Sequence, residues 1–130
     1  MENQTQDRIQ LLLITSPGDE MAVVRATFDQ HTLIDMFPCQ NLAAAVALMA
    51  QQTIEVVCLL ADADVRSSIM QLKTLNSRLL IVVLTLPETR DSTAGLMREE
   101  PQVAVLSLDD ALLPCFPVLL RKLIGYERAR

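Results

Sequence analysis

The sequence predicts a doubly wound α/β domain with a parallel five-stranded sheet. Two observations carry this. Five apolar runs, at residues 9–14, 33–37, 54–60, 79–84 and 103–106, alternate with stretches of helical length and pattern. The runs are continuously apolar rather than alternating, as strands covered on both faces must be. Right-handed crossovers would wind such a chain into three layers with strand order 2-1-3-4-5. Working groups in this architecture stand at the carboxyl ends of the strands.

Each element has a local reason. Residues 1–7 are polar and read as a loose tail. The first strand ends before Ser16-Pro17-Gly18, a turn signal in which Ser16 is placed to cap a helix over 19–30. Met21, Val24 and Phe28 fall on one face of that helix, and Asp19 and Glu20 sit in its first turn, where the macrodipole favours acids. Pro38, lacking an N–H, is expected to end the second strand. Asn41 is placed to cap an Ala-rich helix over 42–52. Asp62-Ala63-Asp64 precedes a helix over 65–75, which either acid is suited to cap, and Pro87 leads into a helix over 88–98. After the fifth run come Asp109, Asp110, Pro114 and Pro117. Because Pro is tolerated only in a first helical turn, the last helix is expected to start near Leu113 or Pro114.

The chain of 130 residues suits one domain, expected over 8–126, with 127–130 the start of a linker toward a further domain. Hydrophobic residues make up 51% but aromatics only 3%, so the core is aliphatic and offers few platforms on which bases can stack. The net charge of −5, with scattered Lys and Arg, argues against direct nucleic-acid binding. Cys39, Cys58 and Cys115 match no zinc spacing. His31 stands alone as a surface turn residue. There is no phosphate-cradling glycine motif and no nucleophile elbow. With no signal peptide and no membrane-length apolar run, a cytoplasmic protein without cofactor or metal is expected.

The (βα)5 order resembles the receiver domain of bacterial two-component response regulators, the CheY-like group of flavodoxin-like folds. The segment from His31 to Phe37 resembles its second strand, and Asn41 to Met49 its second helix. Leu80-Ile81-Val82-Val83-Leu84-Thr85 resembles its fourth strand with a terminal Thr. The resemblance implies a site built from an acidic pair after the first strand, an Asp ending the third, a Thr or Ser ending the fourth and a Lys ending the fifth. Hard oxygen ligands hold Mg²⁺ there, and the Lys neutralises the transferring phosphoryl group.

Position by position, the acidic pair falls on Thr15 and Ser16, the phospho-acceptor on Leu60, the switch hydroxyl on Thr85 and the Lys on Ser107, followed by Leu108 in place of Pro. Only Thr85 retains the expected chemistry. The chain therefore resembles a degenerate receiver, or pseudo-receiver, acting without phosphorylation through dimerisation or a docked partner. In the family the face of the fourth and fifth helices often serves that purpose. Leu113, Phe116, Leu119, Leu120, Leu123 and Tyr126 offer the last helix more apolar surface than one buried stripe requires, with Phe116, Leu120 and Tyr126 as candidate anchors. Two alternatives stand beside this reading. One is a working receiver phosphorylated on Asp62; the other is a small-ligand binder or enzyme using the crevice near Thr15, Ser16 and Thr85.

Overall fold

The computed structural model describes residues 8–15, 19–61, 65–87 and 103–129, with backbone alone at 19–20 and 126–129. Five parallel strands, β1 (Ile9–Ile14), β2 (Ile34–Cys39), β3 (Val56–Leu60), β4 (Leu80–Thr85) and β5 (Val103–Ser107), form one sheet in the order β2-β1-β3-β4-β5. Five helices are described: α1 (Asp19–Asp29), α2 (Leu42–Met49), α3 (Val65–Leu75), α4 (Leu108–Ala111) and α5 (Phe116–Ala129). The expected helix over 88–98 lies outside the described residues.

Alternation along the strands divides the core in two. Leu11, Leu13, Val56, Cys58, Val82 and Leu84 point to the layer holding α1 and α5. Leu12, Ile14, Val57, Leu59, Ile81 and Val83 point to the layer holding α2 and α3. The central strands are buried on both sides, which explains their unbroken apolar sequence. The first layer is pinned by Phe28 of α1 stacked on Phe116 of α5, ring centroids 5.1 Å apart.

Helix α2 is capped as its sequence implies, the Asn41 carboxamide oxygen accepting from the Ala44 N–H at 2.9 Å. Helix α3 occupies the predicted span, presenting Val65, Ile69 and Leu72 to the sheet.

Two expectations need correction. Pro38 does not end β2, which continues through Cys39. The reason is that β2 is an edge strand. The carbonyls of Leu33 and Cys39 face β1, accepting from Ile9 and Thr15 at 2.7 and 2.6 Å. Pro38, of the opposite parity, turns its missing N–H outward, where no ladder bond is lost. The segment after β5 is also not a loop leading to one helix near residue 113. It forms the four-residue α4 first and then a turn through Pro114, and α5 begins only at Phe116 and runs through Ala129. Pro117 falls in the first turn of α5, where Pro is tolerated. No described helix is long and apolar enough to cross a membrane.

Candidate functional site at the carboxyl ends of the strands

The register brings four of the five positions singled out in the sequence to one end of the sheet. Leu60 lies opposite Leu84, and Thr85 lies opposite Ser107. Thr15 follows β1 directly, and Ser16, its neighbour, lies outside the described residues, as do Asp62 and Asp64. For Asp19 and Glu20 only the backbone, in the first turn of α1, is described.

Each polar side chain described here is engaged with backbone. Thr15 donates both its N–H, at 2.6 Å, and its hydroxyl, at 3.1 Å, to the Cys39 carbonyl, tying β1 to the end of β2. Thr85 is the buried polar residue of the sheet, and its hydroxyl donates to the Leu106 carbonyl of β5 at 3.3 Å. The hydroxyl oxygen of Ser107 accepts from the Asp110 N–H at 3.3 Å and caps α4. The position that would carry a cation thus starts a helix instead. The spacing Ser107-x-x-Asp110 is a helix-start signal in the sequence, upstream of the helix start expected near Leu113 or Pro114.

The remaining surface is apolar. Leu60, half-buried, packs with Leu86 and Leu106 against the α1/α5 core. Leu108, where the resemblance implies Pro, is buried in the same cluster. The four described positions, Thr15, Leu60, Thr85 and Ser107, offer hydroxyls and carbonyls but no carboxylate. That donor set does not fit a hard dication, which demands anionic oxygens in a near-ideal octahedron. Among the described residues no three His, Cys, Asp or Glu side chains stand together as a metal site.

The described strand carboxylates sit toward the opposite end. Asp35 pairs with the Arg8 guanidinium at 2.9 Å and accepts from the Gln10 side chain at 2.7 Å, while Glu55 accepts from the Gln10 N–H at 3.1 Å. A cavity of about 450 Å³ also lies there, between the C-terminal ends of α2 and α3, lined by Val46, Met49, Ile54 and Leu75. His31 is half-buried in the turn between α1 and β2, its N–H donating to the Phe28 carbonyl at 3.0 Å, and its Nε2 is buried without a partner.

Two of the three proposed interface anchors are displaced by the fold. Phe116 is 1% exposed and Leu120 0%. With Ile124 they form the i, i+4, i+8 stripe that α5 buries on the sheet, so neither is available to a partner. The side chain of Tyr126 lies outside the described residues.

No protein-family profile and no curated protein sequence matches the chain. Solved structures do. The response regulator RcsB of Salmonella typhimurium superposes with a TM-score of 0.70 at 13% identity, over 92% of this chain. The chain spans 61% of that protein's length. A sensor protein from Polaromonas sp. JS666 gives a TM-score of 0.70 at 16% identity, covering 92% of this chain and 98% of its own. The signal receiver domain of an HD domain-containing protein from Pseudomonas fluorescens Pf-5 gives 0.69 at 12% identity, covering 95% and 91%. The chain has the fold of response-regulator receiver domains.

Proposed function

We propose that this domain is a receiver-like signalling module that works without phosphorylation, by binding a protein partner. The observation that carries the reading is the apolar set Leu60, Leu86 and Leu106 at the strand ends. A phosphoryl group and its metal would enter there in a working receiver. Leu60 has no nucleophilic oxygen, and Ser107, at the cation position, is engaged as a helix cap. Thr15 offers no charge to offset dehydration of Mg²⁺. In place of a phosphoryl input, this reading assigns the fold association with another protein. The charge and the scarcity of aromatics argue against nucleic acid as that partner.

The test is intact-mass measurement after incubation with Mg²⁺ and a small phosphodonor. The expected result is an unchanged mass, together with no micromolar Mg²⁺ binding by calorimetry. A stable phosphoryl adduct on Asp62, abolished by Asp62→Asn, would overturn the reading in favour of a relocated acceptor. Reinstating the acceptor alone, by Leu60→Asp, is also expected to leave the mass unchanged.

A further inference from the structure

Two hollows adjoin at the amino-terminal end of the sheet, where the chain enters β3 and β4. The first, about 450 Å³, lies between the C-terminal ends of α2 and α3 and is walled by Val46, Met49, Ile54 and Leu75. The second, about 210 Å³, is lined by the buried Leu80 and Ile124 and by Glu55 and Arg78. Thr53, Ile54 and Asn76 line both, so the two make one groove from the α2/α3 layer toward the α1/α5 layer. Leu75, the last residue of α3, is 51% exposed here. The walls are held by backbone. The Leu48 carbonyl accepts from Gln51 and Gln52, both at 2.9 Å, and the Asn76 carboxamide oxygen accepts from the Arg78 N–H at 3.0 Å.

Charge decides what such a groove takes and which way round. The first hollow meets the carbonyl ends of two helices, and α2 has no base in its last turn, so a negative group is disfavoured there and an apolar one suited. In the second hollow the Glu55 carboxylate is committed to β1, accepting from the Gln10 N–H at 3.1 Å. Arg78 is exposed, and among the described residues its guanidinium pairs with no carboxylate. A guanidinium holds a carboxylate by two parallel hydrogen bonds. One such group balances one negative charge, which suits a carboxylate better than a phosphate dianion. Apolar walls with a few placed polar groups, in a space of roughly 300–1,000 Å³, are the ordinary make-up of a small-molecule site. A protein contact spreads instead over about 800 Å² of each partner.

We propose that this groove binds a small amphipathic carboxylate, its apolar chain between α2 and α3 and its head on Arg78. This goes beyond the docking reading above and does not rest on it, since the groove shares no residue with the strand-end positions.

Decanoate, kept below its micelle concentration, is the probe, titrated into the whole chain by calorimetry. The expected result is a single saturable site with a negative heat-capacity change, the mark of apolar burial. Methyl NMR shifts should centre on Val46, Met49, Ile54 and Leu75. Arg78→Gln is expected to weaken decanoate about tenfold, a difference of about 1.4 kcal/mol. Decylamine should bind the unaltered chain more weakly than decanoate, and Arg78→Gln should not weaken it further. Ala50 is exposed at the end of α2 and lines the first hollow, so Ala50→Leu fills that space without removing any packing. It is expected to abolish binding with circular dichroism unchanged. The absence of any response to decanoate overturns the proposal and leaves the groove to a peptide or protein segment. Decanoate binding that ignores Arg78→Gln, survives Ala50→Leu or shifts methyls elsewhere overturns it too. The phosphodonor result is separate: a phosphorylated chain would sink the docking reading and leave the carboxylate site standing.

Discussion

The carboxyl end of the sheet and the outward face of α5 use their polar groups in opposite ways. At the sheet end, Thr15, Thr85 and Ser107 bond to nearby backbone, and Leu60, Leu86 and Leu106 pack against the core. On α5, Arg121 and Lys122 face solvent beside the exposed apolar residues Leu113 and Val118. A hydroxyl that has a backbone partner is held in place, and those of Thr15 and Thr85 have their one proton committed. An exposed charge beside an apolar strip leaves both the hydrophobic and the electrostatic contributions to be realised on contact with a partner. One fold thus holds its strand-end hydroxyls on backbone while a helix face leaves apolar and charged groups exposed.

The contrast breaks most visibly along α5 itself. Leu120→Asp places a carboxylate where the native side chain is fully buried, among Phe116, Ile124 and the strands. The lost apolar burial and the unpaired polar group together should cost about 4 kcal/mol or more. The variant is expected to lose its cooperative unfolding transition by circular dichroism. A folded monomer with near-native melting would show that α5 does not pack as described.

The core also sets a pH limit. Burial pushes the Cys58 thiol far above its ordinary value of 9.0, and raises Cys39 less strongly. A folded-state value above the unfolded one means that the thiol proton contributes full stability below about pH 9. That contribution falls away above it, as the unfolded chain alone ionises. Urea titrations should therefore show stability dropping by about 1.4 kcal/mol per pH unit for Cys58 above that point. Cys58→Val should flatten the slope, and an unchanged slope in that variant would remove Cys58 as the cause.

At the sheet end the expected effect is smaller. Thr85→Val keeps the shape of the side chain but removes the bond to the Leu106 carbonyl, leaving that acceptor without this donor. The cost should be about 1 kcal/mol by chemical denaturation. Association through the outward face of α5 should not change. A loss of that association in Thr85→Val would tie the crevice to the helix face and undo the separation drawn between them.

The sheet was legible because burial on both faces leaves a signature that needs no tertiary information. Residues 54–60 and 79–84 are apolar at nearly every position, since each side chain meets one helical layer or the other. The same regularity placed Leu60, Thr85 and Ser107 at one end by strand register alone. The sequence ends the second strand at Pro38 because it does not say that the strand lies at an edge, where a missing N–H is harmless. The acids after Ser107 read as loop although they begin α4, because a four-residue helix has too little periodicity to declare itself. Phe116 and Leu120 read as anchors in the sequence because the last helix carries apolar residues on more than one side. Composition counts them without fixing the phase. The phase is set by contact with Phe28 and the strands, which is tertiary information.

Val118 sharpens that last point, standing two residues from Leu120 on the opposite side of the same helix. Its side chain is more than half exposed, so Val118→Asp buries no charge and removes little packing. Surface changes of this kind usually move stability by no more than about 0.5 kcal/mol, and Asp differs only modestly from Val in helix propensity. Its position in the first turn of α5 also places the new carboxylate near the positive end of the helix dipole, a small favourable term. The melting temperature is therefore expected to shift by only a few degrees, in contrast to the loss of folding in Leu120→Asp. Docking of a protein partner on this face should nevertheless weaken, because a carboxylate would replace an exposed apolar side chain. A paired measurement, calorimetric melting beside sedimentation, separates the roles of the two residues. If Val118→Asp melts many degrees lower, the outward face of α5 is covered by the chain itself. If it melts normally and still associates, the contact lies elsewhere on the molecule.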